Sequence, residues 1–430
     1  MPDPSSLISA VVLSAALVVG CGSRGDPGAS TGPTCAPRYG TEWGAALRGS
    51  PSAPRVVATD ADGHVAYGAF GSSGDNEVVS RDPRGVILWR SPVGAIALAA
   101  AGDGGFYAAA STANQGLGGI AATVTRLDAN GVVAWSRTLS WSANIWAGAF
   151  VAMEPTGGVW VLGSERQVLR EPQPPTLERP FIARLDANGD VVTQQTLAKV
   201  GVDVEPRGLA LDAEGRVLVA LRVNQGALSV GNTQYDVNGG AVVAAFNPDG
   251  GPSWSRSVSE SSNDNLRTLA RGNDGTVYAA GETVHDTLGS VTTVDVFVTA
   301  LTPSGEVLWR RSFSEGGSAD SPFLAARPCG GVVLAAEASV DGKAAILLLD
   351  LDAAGNEQRR RLIVAGCSSA GDCGCSSSTD SPCTILPGAV AAHGSDGLIL
   401  AGAVTGSFTF DGVQLTGTQT EDPFLARFAD

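Results

Sequence analysis

Four of the seven cysteines crowd into one short stretch, CSSAGDCGCSSSTDSPC (367–383). Cys367, Cys373, Cys375 and Cys383 sit among serines and glycines, with almost no apolar side chains to hold the segment's shape. Two chemistries suit that composition. Four thiolates can close a tetrahedral zinc site. Alternatively, disulfides can cross-link the segment, each contributing about 2–4 kcal/mol by restricting the unfolded chain. The pairing within the stretch stays open, with Cys35 and Cys329 as its natural remainder. Compartment decides between the two, because disulfides persist only where the surroundings are oxidising.

Few other residue sets suggest chemistry. The three histidines, His64, His285 and His393, form no HExxH or other metal spacing, and neither a GxSxG elbow nor a P-loop is present. Asp-rich turns such as DADG (60–63) and LDANG (127–131) resemble calcium loops but lack the full spacing and terminal Glu of an EF-hand. Asp and Asn bonding to nearby backbone in a hairpin explains them. The sequence therefore names no catalytic residue, no metal set and no cofactor, which points away from an enzyme.

The compartment is written at the start of the chain. LISAVVLSAALVVG (7–20) is an apolar run of signal-peptide length, too short to span a bilayer, and Cys21 follows it directly. Val18-Val19-Gly20-Cys21 resembles the bacterial lipobox, which implies lipidation of Cys21 and anchoring by several acyl chains, palmitate among them. The run departs from the usual pattern in having no Lys or Arg before it, and Asp3 in their place. Residues 1–20 are thus expected to be a lipoprotein signal peptide. Residues 21–38 read as a flexible tether with a reach on the order of 20 Å. Gly22 after the cysteine resembles lipoproteins sent to the outer membrane, on its periplasmic or outer side. Export favours the disulfide reading of the six remaining cysteines.

A formal charge of -15 supplies no basic stripe, so a nucleic-acid partner is excluded and contact with a membrane is expected through the lipid alone. The 56 glycines, well above the average share of about 7%, and many Val, Ala and Leu suggest short strands joined by tight turns.

Those strands repeat. Aligned on the residue seven before a tryptophan, Asp82 leads to Trp89, Asp128 to Trp135, Asn247 to Trp254 and Thr302 to Trp309. Two copies keep the frame without the ring, from Asp186 to Thr193 and from Asp352 to Arg359. Each carries a glycine three residues after its first position, the mark of a hairpin turn. A second glycine turn precedes each copy, at 60–63, 101–105, 154–158, 212–215, 272–275, 328–331 and 394–397. The unit is four strands over about 45 to 60 residues, which predicts a seven-bladed β-propeller over residues 39–430. The last copy, FLARFAD, stops inside its final turn. YGTEWGAALRG (39–49), with Trp43, is expected to supply the missing outer strand and close the ring. The tryptophans are expected to fill the wedge that opens between blades away from the axis.

In such a blade the two glycine turns share one end. Nearly every long connection falls at the other: 170–180, 224–240, 283–295, the Cys-rich 366–386, and 404–422. Long loops on a rigid scaffold carry recognition, so a ligand is expected there, with Arg170, Arg179, Asp236, His285, Asp295 and Asp422 as candidate contacts.

The phrase F-[AVIL]-x-x-[LF]-[DNT]-x-x-G-x-[VIL]-x-W and the segment TGSFTFDGVQLTGTQTEDPFLARF (405–428) resemble the seven-bladed propeller repeats of bacterial secreted and lipid-anchored proteins, over roughly Tyr39 to Asp430. The resemblance implies the fold and an envelope location and transfers no catalytic residue. The outer-strand G-x-x-x-W is also similar to quinone-cofactor dehydrogenases and to the propeller lipoprotein that assists outer-membrane barrel assembly. The expectation is a monomeric, non-enzymatic envelope lipoprotein that binds or scaffolds a protein or glycan through its long-loop end. The alternatives are a propeller enzyme, quinoprotein-like or hydrolytic, and an outer-membrane assembly factor.

Overall fold

The computed structural model describes residues 40–429 apart from 47–55, 71–75, 115–118, 140–144, 169–175, 200–201, 237–239, 286–292, 315–318, 329, 341–342, 365–383, 394–396, 406, 411–412 and 417–421. Within them stand seven four-stranded antiparallel sheets. Blades 1 to 6 are each one continuous stretch of chain, at 57–91, 97–139, 145–196, 203–257, 264–313 and 319–364. The first strands of successive blades touch one another all the way round, which makes them the inner ring of a propeller.

Blade 7 takes its first three strands from Ile385–His393, Gly397–Val404 and Asp422–Ala429, and its outer strand from Gly40–Ala46. The register runs from Gly40 opposite Ala429 to Ala46 opposite Phe424, with Trp43 opposite Arg427. The ring is therefore closed by the strand that the sequence holds in reserve.

The first three strands of each blade are packed on both faces and read as nearly unbroken apolar runs, such as GAVVAAF (240–246) and KAAILLLDL (343–351). Outer strands are half exposed, so their alternation is polar and loose, as in VVTQQT (191–196). Two hairpins fold out of second-to-third-strand connections. In blade 4, Ala227–Val230 pairs with Thr233–Asp236 and lies against the outer strand, where the Tyr235 hydroxyl meets the Ser255 hydroxyl at 2.8 Å. In blade 7, Ser407–Phe410 pairs with Val413–Thr416 beside the closing strand. Both cover sheet edges that would otherwise invite pairing with another chain.

The repeated phrase works as a clasp between blades. In the turns at Asp82, Asp128, Asp186 and Asp352 one carboxylate oxygen accepts the amides two and four residues on, while the turn glycine adopts positive φ. At Gly131, Gly189, Gly305 and Gly355 the tryptophan of the preceding blade then lies on the turn glycine. Trp89 Nε1 donates to Ala129 O at 2.9 Å, Trp135 to Ala187 O at 2.9 Å, Trp254 to Pro303 O at 2.9 Å and Trp309 to Ala353 O at 2.8 Å. A Cβ on Gly131 would meet the Trp89 ring at 2.5 Å, and one on Gly355 the Trp309 ring at 2.6 Å. The tryptophans do occupy the gap between blades, and the ring contact adds a second reason for glycine beyond turn conformation. Two residues further on, Arg137 and Arg256 donate to Gly189 O and Gly305 O at 2.8 and 2.9 Å. Blade 3 has Thr193 in place of tryptophan, and there Gln195 donates alone to Gly250 O, at 2.5 Å. Across the closing joint, Arg427 donates to Pro83 O at 2.7 Å.

Candidate functional site

The long-loop end is where the candidate contacts fall; among the described ones, His285 and Asp295 are brought together and Arg179 is engaged elsewhere. Arg179, in blade 3, is held by Glu165 of the neighbouring strand at 2.5 Å. His285 and Asp295 meet each other in blade 5, Nε2 to Oδ2 at 3.0 Å. Asp236 ends one strand and Asp422 begins another, and their side chains lie outside the described residues. Arg170 and all the cysteines, Cys21, Cys35, Cys329, Cys367, Cys373, Cys375 and Cys383, lie outside them too.

A different set of side chains converges at that end, on the inner strands of blades 4, 5 and 6. Arg222, Glu282 and Glu337 occupy the same register place in the three second strands, opposite Glu205, Asn265 and Asp320 on the inner strands. The equivalent pairs are Trp146 with Ser164 in blade 3 and Leu386 with Ala403 in blade 7. Charge at this place thus sets blades 4 to 6 apart from blades 3 and 7. Just beyond it the inner strand slips register. The extra residue is Arg207 in blade 4 and Arg267 in blade 5, with Ser321 and Pro322 in blade 6. A bulge re-aims the side chain it inserts, and here it delivers two guanidinium groups into one cluster.

The contacts run from blade to blade. Arg207 pairs with Glu205, whose other oxygen accepts from Asn224 Nδ2 at 2.7 Å. Asn224 also donates to Asp203 at 3.1 Å, and Asp203 accepts the Glu178 amide of blade 3 at 2.8 Å. In blade 5, Glu282 accepts from Arg267 at 2.5 Å and from Asn265 Nδ2 at 2.7 Å. Its second oxygen accepts the Ser321 amide of blade 6 at 3.2 Å, and Ser321 holds φ at 50° to present that amide. Asp320 and Glu337 stand within hydrogen-bonding reach of each other, facing Glu282 and Arg267.

Protonation follows from these contacts. Burial works to raise the Glu282 carboxyl, but Arg267, the Ser321 amide and Asn265 together outweigh it and hold the group below its ordinary value. Burial pulls the Arg207 guanidinium down to about 10, with Arg267 and Arg222 adding to the pull. Burial and the charge of Glu282 push Asp320 up. Glu337 goes further, to about 7, through burial, the charge of Asp320, the hydrogen bond between them and then Glu282. Near neutrality the Asp320–Glu337 pair holds one shared proton part of the time.

A carboxyl whose folded value is raised stabilises the fold fully below its unfolded value and loses that contribution as pH rises through the folded one. Urea melts should therefore show stability declining between pH 4.5 and about 7 through Glu337. Glu337→Gln should remove up to about 3 kcal/mol of that decline, so the variant gains on the parent at pH 8. Parallel pH profiles for the two proteins would refute the assignment.

Among the described residues, the grouping of three possible metal ligands is Asp60, Asp62 and His64, in the inner turn of blade 1. Asp60 accepts the Asp62 and His64 amides and the His64 ring. Asp212 does the same for Glu214 and Arg216, with an Arg216 guanidinium in the place of the imidazole. A position that an arginine fills equally well is turn chemistry.

No family model matches the sequence, and no curated protein matches it. Among solved structures, a puromycin hydrolase mutant is similar over 85% of this chain at 16% identity, with a TM-score of 0.51. This chain spans about half the length of that hydrolase, 53%. An ulvan lyase is similar over 88% of this chain and 96% of its own at 8% identity, again with a TM-score of 0.51. At these identities the likeness is one of fold. Both are consistent with a β-propeller and assign no residue here.

The charged sector escaped the sequence reading because its members look like ordinary strand-end charges when each blade is read alone. Aligning the second strands would expose Arg222, Glu282 and Glu337 in one column. The bulges, which shift Arg207 and Arg267 out of the alternating frame, would still hide the guanidinium groups.

Proposed function

We propose that this chain is an exported propeller, tethered to the outer membrane through lipid on Cys21, that binds its ligand at the long-loop end of blades 4 to 6. The observation that carries the reading is the cluster that Glu205, Arg207, Arg267, Glu282, Asp320 and Glu337 form across blades 4 to 6, beside a register place where blades 3 and 7 carry no charge. A structural need common to all blades would place it in every blade. The long connections 224–240, 283–295 and 366–386 follow strands of these same blades in the chain and fit a recognition surface.

Cross-linking in intact cells tests this. A parent chain should capture material that is lost when Arg207, Arg267 and Glu337 are neutralised together (R207Q, R267Q, E337Q). Substitution of exposed residues in the opposite turns, such as Arg84, Asn130 and Asn188, should leave capture unchanged. Loss in the second set alone would overturn the reading.

The shared proton of Asp320 and Glu337 supports a second reading, an enzyme that uses the pair for acid–base chemistry beside Arg267. Turnover of a polysaccharide or peptide panel that disappears in Glu337→Gln would favour it over simple binding.

A further inference from the structure

Among the described residues, the Asp320–Glu337 pair has no cation committed to it alone. Arg207 is committed to Glu205, and Arg267 to Glu282. The guanidinium that reaches Asp320 and Glu337 is Arg267, already engaged. The pair is only partly buried, so solvent reaches it. Asn265 is bonded through Nδ2 to Glu282, which faces the pair; it is 8% exposed, and its Oδ1 has no hydrogen-bond partner among the described residues. An unpaired buried acceptor in the same cluster asks for a donor.

We propose that Asp320 and Glu337, paired across adjacent strands, and Asn265 form a binding site for a primary ammonium group. An ammonium brings three donors and one charge, matching two carboxylates and one amide oxygen. A divalent cation fits less well. Calcium seeks six to eight oxygens, and the described residues bring no third metal ligand to Asp320 and Glu337. The chain's charge of -15 draws a cationic ligand toward the site.

The groups facing the pair from the packed elements are Glu282 and Arg267 of blade 5, with Arg207 of blade 4 behind Arg267. From blade 7 the near end of the inner strand presents Ile385, Leu386 and Pro387, which carry no charge. The exchange is balanced: the pair loses one proton to solvent and gains one ammonium charge.

This inference rests on the arc being the ligand site, and the test separates the two. Spermidine and a glucosamine trimer, two sources of the same ammonium chemistry, are titrated into the full-length protein by calorimetry at pH 7 in two buffers of different ionisation enthalpy. Binding should release about half a proton per ligand and tighten by up to about tenfold from pH 6 to pH 8. The N-acetylated trimer should not bind. Glu337→Gln and Asp320→Asn should abolish proton release and weaken binding tenfold or more. Binding without proton release, binding unaltered in both variants, or silence of both amines overturns the proposal. Binding of the acetylated trimer that is lost in the same variants also overturns it, while sustaining the arc as the ligand site.

Discussion

A chain lacking residues 1–46 should expose the open edge of the strand Asp422–Ala429 and self-associate through it. In the intact ring that strand is hydrogen-bonded to Gly397–Val404 on one side and to Gly40–Ala46 on the other. Its Phe424, Leu425, Ala426 and Phe428 are fully buried. Removing the closing strand leaves a row of unpaired amides and carbonyls, each net bond being worth about 0.5–1.5 kcal/mol, and it uncovers apolar surface as well. The total loss should be on the order of 5 kcal/mol by that measure and by apolar burial. A hydrophobic, unpaired edge is a template for intermolecular pairing. Native mass measurement should therefore find dimers and larger species. A synthetic peptide of residues 39–48 should bind the truncated chain and return it to monomer. A truncated chain that stays monomeric, melts like the parent and ignores the peptide would show that closure is dispensable.

The second large effect separates two reasons for a glycine that usually travel together. Gly305 and Gly250 occupy equivalent turns with nearly the same backbone, φ of 85° and 90°. What lies on them differs. Gly305 is covered by the Trp254 ring, whereas a Cβ on Gly250 would meet the Gln195 side chain at 3.4 Å, an ordinary contact. Gly250→Ala should therefore cost only the left-handed backbone penalty, about 1–2 kcal/mol. Gly305→Ala should add displacement of the indole and loss of its hydrogen bond to Pro303 O, for about 3–4 kcal/mol in all. Denaturant melts of the two variants give the difference directly. Equal losses would mean that the ring contact contributes nothing and that turn conformation alone selects glycine.

These expectations also mark how far the sequence could be read. Strand count, turn positions and ring closure were legible because they depend on local chemistry repeated many times. Asp128 with Gly131 builds a hairpin wherever it occurs, and each additional copy makes a chance match less plausible. The partner of each tryptophan was not legible. Trp89 and Ala129 lie forty residues apart in different repeats, and nothing in either repeat announces the contact. The charged arc was hidden for another reason. Strand alternation assigns faces by counting in twos, and the extra residue in each inner strand defeats the count at Arg207 and Arg267. Exposed-looking charges such as His285 and Asp295 drew the eye instead, and they prove to satisfy each other on the rim.

The indole-on-glycine clasp bears on how such a molecule can be remodelled. Its two halves sit on adjoining units and are spelled alike at the joints after blades 1, 2, 4 and 5. Duplicating or excising blade 2, which such joints bound on both sides and which lies outside the charged arc, would bring a ring-bearing strand against a bare turn once more, and the new junction would be matched from the outset. The arc of blades 4 to 6 has no such freedom. Glu282 takes its ligands from two units at once, and a copy inserted between them would carry Ser321 away from it. Gene-level shuffling is therefore cheap on one side of the circle and ruinous on the other.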